Sequence, residues 1–393
     1  MKLKIFKTLK NVFLLSLGVC LILSSCGSSE NQKTQVNDPI AISLDTVMVD
    51  AGNDFLYLKY GMFMSQLSSD KSYLINLNHE DYIAEKIDLN KLELSNKIQF
   101  EKEGPNGLGP YLSGFSLREN GDLLIKNYMV YKVFDQEAQL VGDLELEKIA
   151  AEYLGSTEYY PIQVFELVND PTRVVVLALK WDGYEYSLLD IDMETKTYTV
   201  KELDYFDKAN EFRVNILYNG NPAGGFGPSV YSDLVNDRII LNTNAYNEVV
   251  IMDLKTDSVT VKSWETPLLG AKRTYQPPKE VEMEGGKMID IRKKFEEDIS
   301  YKGFLWDEEQ QRFYRFSERK IFGEEVNEFG EYIPTGAVVY LSIFDQDFNL
   351  LQESELPEVK SVPDLHFMKD GAIWLFENID DELAFVRLNL ENS

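Results

Sequence analysis

The octet VFDQEAQL, residues 133–140, returns as IFDQDFNL at residues 343–350. Each copy opens on apolar residues, places an Asp, passes through short polar residues and resumes an apolar alternation. Asp closes tight turns with its own side chain, and period-two alternation suits a strand with one buried face. The octet therefore reads as strand, turn, strand. The same form recurs in KIDLNKLELSNKI around Asp88, DIDMETKTYTV around Asp192 and IMDLKTDSVTV around Asp253, and VRLNLENS places Asn389 in the slot.

Upstream of each copy lies a second short apolar run, such as YLINLN at 73–78, RVVVLALK at 173–180, RIILNT at 238–243 and AIWLFEN at 372–378. A further strand precedes several of these, as in SGFSLREN from Ser113 and DLHFMKDG from Asp364. Each unit is three or four antiparallel strands in ~45–60 residues, the size of a β-propeller blade. Six units fill the chain, so the expected fold is all-β, a six-bladed β-propeller occupying residues 40–393. An open ring would leave two sheet edges unpaired. The run IAISLDTVMVD at 40–50 is a spare strand, and the last unit lacks its outermost one. Ile42, Leu44 and Val47 are therefore expected to pair into the 382–390 strand and close the ring. The long step from Asp253 to Asp345 holds two segments outside the pattern. Residues 277–299 carry helical spacing at Ile289, Ile291 and Phe295, and residues 320–336 are a polar, Gly-rich excursion. Both read as insertions, with a degenerate seventh blade as the alternative.

The N-terminus is a different kind of segment. Lys2, Lys4, Lys7 and Lys10 precede an apolar run, VFLLSLGVCLIL, that is shorter than the roughly 20 residues a membrane-spanning helix needs. Residues 1–25 read as a secretory signal. The following LSSCG resembles the lipobox of bacterial lipoproteins, which implies lipid on the Cys26 sulfur and cleavage before it. An ordinary signal peptide is the alternative. Cys20 leaves with the signal and Cys26 carries lipid, so disulfides and Cys-based metal or nucleophilic sites are excluded. Residues 26–39 form a polar tether. Loss of the four signal lysines leaves 35 basic residues against 66 acidic ones. Such a surface repels nucleic-acid phosphates and disfavours broad contact with anionic lipid heads, so the lipid anchor is the expected membrane partner.

Residues 98–141 read IQFEKEGPNGLGPYLSGFSLRENGDLLIKNYMVYKVFDQEAQLV. An apolar strand end, a Gly-Pro-Asn-Gly-x-Gly loop, a strand, an Asn-Gly-Asp turn and a blade together resemble a family of exported bacterial lipoproteins with six-bladed propeller-like repeats, a domain of unknown function. The resemblance extends to AIWLFEN and LAFVRL at the C-terminal end. It implies an envelope location and a propeller-like fold, and no activity.

Chemistry is sparse in the sequence. The only histidines are His79 and His366, in different units and outside any metal-ligand spacing. No Gly-x-Ser-x-Gly elbow occurs. The Gly-rich stretches at 104–110 and 219–229 lack the Gly-Lys-Ser/Thr ending of a phosphate loop and suit tight turns instead. No metal, cofactor or catalytic residue is assigned. Candidate ligand contacts are aromatic residues in loops, Tyr111, Phe226, Tyr275 and Tyr332. Arg273 joins them because AKRTYQPP is a basic, aromatic loop in an acidic chain, and His366 because it sits in an expected innermost strand. The leading reading is a lipid-anchored binding or scaffold module of the cell envelope, with the outer membrane favoured because Gly27 is not an Asp retention signal. Its ligand would be a glycan, peptide or protein. The alternative is a propeller hydrolase or lyase acting on glycans or lactones, with or without calcium, which needs carboxylates converging in the channel.

Overall fold

The structure, a computed structural model, describes residues 39–110, 112–127 and 129–391. Cys26, the signal segment, nearly all of the tether and Tyr111 lie outside the described residues.

Six four-stranded antiparallel sheets follow one another along the chain. Sheet 1 holds Ser65–Leu67, Tyr73–Asn78, Ile83–Asp88 and Glu93–Gln99. Sheet 2 holds Gly114–Leu117, Leu123–Asn127, Val130–Phe134 and Leu140–Asp143. Sheet 3 holds Tyr159–Leu167, Asp170–Lys180, Glu185–Asp192 and Thr197–Glu202. Sheet 4 holds Val230–Val235, Arg238–Thr243, Glu248–Asp253 and Ser258–Ser263. Sheet 5 holds Ser300–Asp307, Arg312–Val326, Tyr332–Asp345 and Leu350–Glu355. Sheet 6 holds His366–Lys369, Ala372–Ile379 and Glu382–Leu390, and its fourth strand is Ile42–Met48 from the other end of the chain. Ile42, Leu44 and Val47 lie opposite Leu390, Leu388 and Phe385.

The second strands of sheets 1 to 4 and 6 are rich in apolar residues because both of their faces are covered, whereas that of sheet 5 also buries Arg315, Ser317 and Glu318. In sheet 3, Val174, Val176 and Ala178 pack toward sheet 2, while Val175, Leu177 and Leu179 pack toward sheet 4. The same division repeats between sheets 1 and 2, 4 and 5, and 5 and 6. A sixth cluster joins Phe367, Trp374 and Phe385 of the last sheet to Leu74 and Ile87 of the first. The result is a propeller-like, all-β architecture in which apolar layers alternate with sheets.

The repeated Asp residues are turn residues. In every case one Asp carboxylate oxygen accepts two backbone N–H bonds: Asp88 from Asn90 and Lys91, Asp135 from Glu137 and Gln139, Asp192 from Glu194 and Thr195, Asp253 from Lys255 and Thr256, and Asp345 from Asp347 and Asn349. Each joins the third strand of its sheet to the fourth.

The two expected insertions differ in kind. A helix forms at Lys287–Glu297 and turns Met288, Ile291 and Phe295 inward, spaced three and four residues apart. The excursion at 320–336 is not an irregular loop. It extends the second and third strands of sheet 5 into a long hairpin, because IFGEEV and YIPTGAVV keep pairing across the Asn327–Glu331 turn. The Gly-rich stretch near 220 is also partly strand. Asn221–Phe226 pairs with Val214–Tyr218, and Glu280–Glu282 adds alongside in parallel to make a three-stranded accessory sheet. Among the described residues no helix is long and apolar enough to cross a membrane.

Candidate functional site

The first strands of sheets 4 and 5 both start beside the inserted helix. Period two places Tyr231 and Asp233 on one face of Val230–Val235. Lys302 follows two residues after Ser300 in the neighbouring sheet. Where these strands meet the helix and the loop from Arg273, a pocket of about 320 Å³ opens. Its wall includes Phe226, Tyr231, Arg273, Arg292, Phe295 and Lys302.

Local structure explains how a loop residue reaches this place. Asp298 follows the helix and accepts hydrogen bonds from the backbone N–H of Thr274 at 2.6 Å and of Tyr275 at 2.7 Å. That clamp holds the Arg273 loop against the helix end. Arg273 is only 2% exposed. Its guanidinium lies 3.6 Å over the Phe295 ring and donates to the Phe295 carbonyl oxygen. Burial pulls its pKa down to about 10, against the opposing pull of Asp298 and Glu296. No carboxylate among the described residues stands within ion-pair distance of it.

The other charges of the pocket are matched. Lys302 pairs with Glu318 at 2.7 Å, both largely buried. Burial opposes the charge on Lys302, but Tyr231 and Glu318 outweigh it and its pKa is raised. Glu318 also accepts from the Val362 N–H at 3.2 Å, which ties sheet 5 to the approach of sheet 6. Lys320 pairs with Glu296 at 2.8 Å, and Arg292 with Glu331 at 3.1 Å. The Nε of Arg292 is sealed from solvent without an acceptor. Phe226 meets Phe295 edge-on at 5.7 Å between centroids, with Arg292 5.3 Å from its ring.

Asp233 shares that strand face with Tyr231 and is exposed to solvent, although protein atoms crowd around its carboxyl. Burial raises its pKa to about 6, against the Leu234 N–H bond and the Lys71 charge.

Of the residues singled out from sequence, Phe226 and Arg273 meet in this pocket. Tyr275 packs in the apolar cluster beside Phe226 and Phe295, behind the wall. Tyr332 caps the far side of the helix, where its hydroxyl reaches Asp290 at 3.4 Å. His366 stands apart in the first strand of sheet 6. Its Nδ1 faces the Pro363 carbonyl oxygen at 2.7 Å, Phe316 meets its ring edge-on, and burial lowers its pKa, so it is neutral near pH 7. His79 belongs to an aromatic group with Tyr57, Tyr60 and Phe63. Sequence reasoning missed Tyr231, Asp233, Arg292, Lys302 and Glu318. The alternation of each strand marks two faces without saying which one turns to the pocket. Among the described residues no three His, Cys, Asp or Glu side chains gather as a metal site.

The chain is thus a propeller-like, all-β protein with a charged pocket where the first strands of sheets 4 and 5 meet the inserted helix. The model of the family described as "Domain of unknown function (DUF4221)" matches residues 39–355, and the chain belongs to that family. A crystal structure of a DUF4221 member from Bacteroides vulgatus ATCC 8482 is similar at a TM-score of 0.62 and 15% identity, over 91% of this chain and 100% of that one. A Bacteroides fragilis NCTC 9343 protein described as exported is similar at 0.50 and 9% identity, over 91% of this chain and 99% of that one. The β-propeller domain of Myceliophteria thermophila Cps50 is similar at 0.35 and 8% identity, over 89% and 99% of the two chains. A search of curated proteins gave no match.

Proposed function

We propose that the six sheets close into a six-bladed β-propeller, held at the cell envelope by lipid on Cys26, that binds a ligand at one mouth of its channel. The observation that carries this reading is the pocket itself. A helix inserted between two blades roofs the start of two inner strands and brings Arg273 and Phe226 against Tyr231 and Lys302. Concave sites with a few polar groups on an apolar wall suit small ligands. The anchor would place the module at the outer membrane, and a segment of a glycan or peptide is the size of ligand the pocket admits.

A thermal-shift screen tests this, because a ligand of the folded state raises its melting temperature. Glycans, peptides and Ca²⁺ are compared on the parent and on Ser300→Trp, which fills the pocket. Stabilisation of the parent alone supports the reading; equal stabilisation of both contradicts it. Anchoring is tested by labelling cells with an alkynyl fatty acid. Label should appear on the parent and vanish in Cys26→Ser.

A second reading, a hydrolase or lyase, is favoured by one observation. The Asp233 carboxyl is raised to about 6, as a general acid or base requires, and in a closed ring its strand would be an inner one. Glycan or lactone turnover by the parent, lost in Asp233→Asn, would establish it.

A further inference from the structure

We infer that the ligand of this pocket is a small carboxylate with an apolar or aromatic body, received by Arg273 and Arg292. The inference rests on the channel-mouth reading and names the chemistry of its occupant.

The chain carries 39 basic and 66 acidic residues, yet the pocket is lined by Arg273, Arg292, Lys302 and Lys320 against Glu296 and Glu318. The two lysines hold the two glutamates, and Arg292 is shared with Glu331. The positive charge left without a partner is that of Arg273. The nearby Asp298 does not serve it, because that carboxylate lies beyond ion-pair distance and is engaged by the N–H groups of Thr274, Tyr275 and Ile299. One uncompensated charge fits a monoanion better than a phosphate dianion.

An isolated buried cation is costly unless something pairs with it. Arg273 is almost fully buried, and it lines the open pocket. Stacking on Phe295 and the bond to the Phe295 carbonyl use one face and one corner of the guanidinium. A guanidinium has five N–H donors in a planar fork that matches a carboxylate. Arg292 lines the same pocket, with its guanidinium 3.1 Å from Glu331 and 5.3 Å from the Phe226 ring. Phe226, Tyr231 and Phe295 supply rings against which an apolar body packs.

The test pairs each acid with an uncharged counterpart: benzoate with benzamide, 4-phenylbutyrate with 4-phenylbutyramide, and galacturonate with galactose. Inorganic phosphate is the plain-anion arm. Binding is measured by calorimetric titration on the parent and on Arg273→Gln, Arg292→Gln and Ser300→Trp. Arg292 is more exposed than Arg273, so Arg292→Gln keeps the test valid if Arg273→Gln does not fold. The expected result is an acid bound on the order of tenfold more tightly than its neutral partner, with that preference lost in Arg292→Gln and all binding lost in Ser300→Trp. Neutral compounds bound as tightly as acids, with binding lost in Ser300→Trp, would overturn the carboxylate and leave the pocket. Phosphate bound more tightly than every acid would do the same. Acid binding unchanged in Ser300→Trp, or no binding by any compound, would overturn both.

Discussion

The Arg273 guanidinium lies 3.6 Å over the Phe295 ring and donates to the carbonyl oxygen of that same residue. One side chain thus fixes the last turn of the inserted helix twice. Arg273→Ala should remove about 2–3 kcal/mol, the cost of losing a charged donor and leaving its acceptor unpaired. Denaturant midpoints measure the loss. Amide exchange should quicken first at Lys287–Glu297, and Arg273→Lys should not restore protection, because an ammonium lacks the planar face that stacks.

Asp135 and Asp345 make the same turn in sheets 2 and 5. Each accepts two backbone N–H bonds, and each turn passes through a left-handed residue, Ala138 or Phe348. Asp135→Ala and Asp345→Ala should each cost about 1–2 kcal/mol and leave ligand affinity unchanged. Gly at position 138 should stabilise slightly, since Ala138 stands at φ 59°. Chemical denaturation of the three variants checks this.

The carboxyl of Asp233 is raised from its ordinary value to about 6. A carboxylate whose folded pKa lies above its unfolded value makes the folded state bind the extra proton, so stability falls as pH climbs from about 4 to about 6. Asp233→Asn removes that dependence. The variant should match the parent near pH 4 and melt at a higher temperature above pH 6. A ¹³C titration of the Asp233 carboxyl should show its midpoint near 6.

Deleting residues 40–48 removes the strand paired to Glu382–Leu390. It also removes buried Ile40 and half-buried Ile42 and Val47, worth roughly 3 kcal/mol at ordinary burial values. The freed edge of Glu382–Leu390 should then pair with other chains. Light scattering should show self-association of the truncated chain under conditions where the parent is monodisperse.

The repeat is legible because each of these turns needs an Asp at one place and most second strands need apolar residues on both faces, although Asn389, read from sequence as a further turn residue, lies within the strand Glu382–Leu390. Those demands are local, and Asp88, Asp135, Asp192, Asp253 and Asp345 meet them in the linear text. The hairpin extension at 320–336 is hidden because EEVNEFGEY is rich in acidic residues and spaces its apolar residues, Val326, Phe329 and Tyr332, three apart rather than in strand alternation, as a strand standing clear of the core is free to do. The site is half legible. Arg273 stands out as a cation next to an aromatic residue in an acidic chain, and Phe226 as an aromatic at the end of a Gly-rich stretch. Lys302 and Glu318 do not stand out, since their pairing depends on which strand face turns inward. His366 draws attention by rarity alone, and its place against Pro363 and Phe316 is one of packing.

If the pocket beneath the inserted helix receives the ligand of this protein, a crystal structure of the chain with 4-phenylbutyrate should show the carboxylate between Arg273 and Arg292 and the ring against Phe226 and Tyr231. Density on the opposite side of the helix, among Ile289, Lys293 and Tyr332, with the Arg273 pocket unchanged, would contradict it.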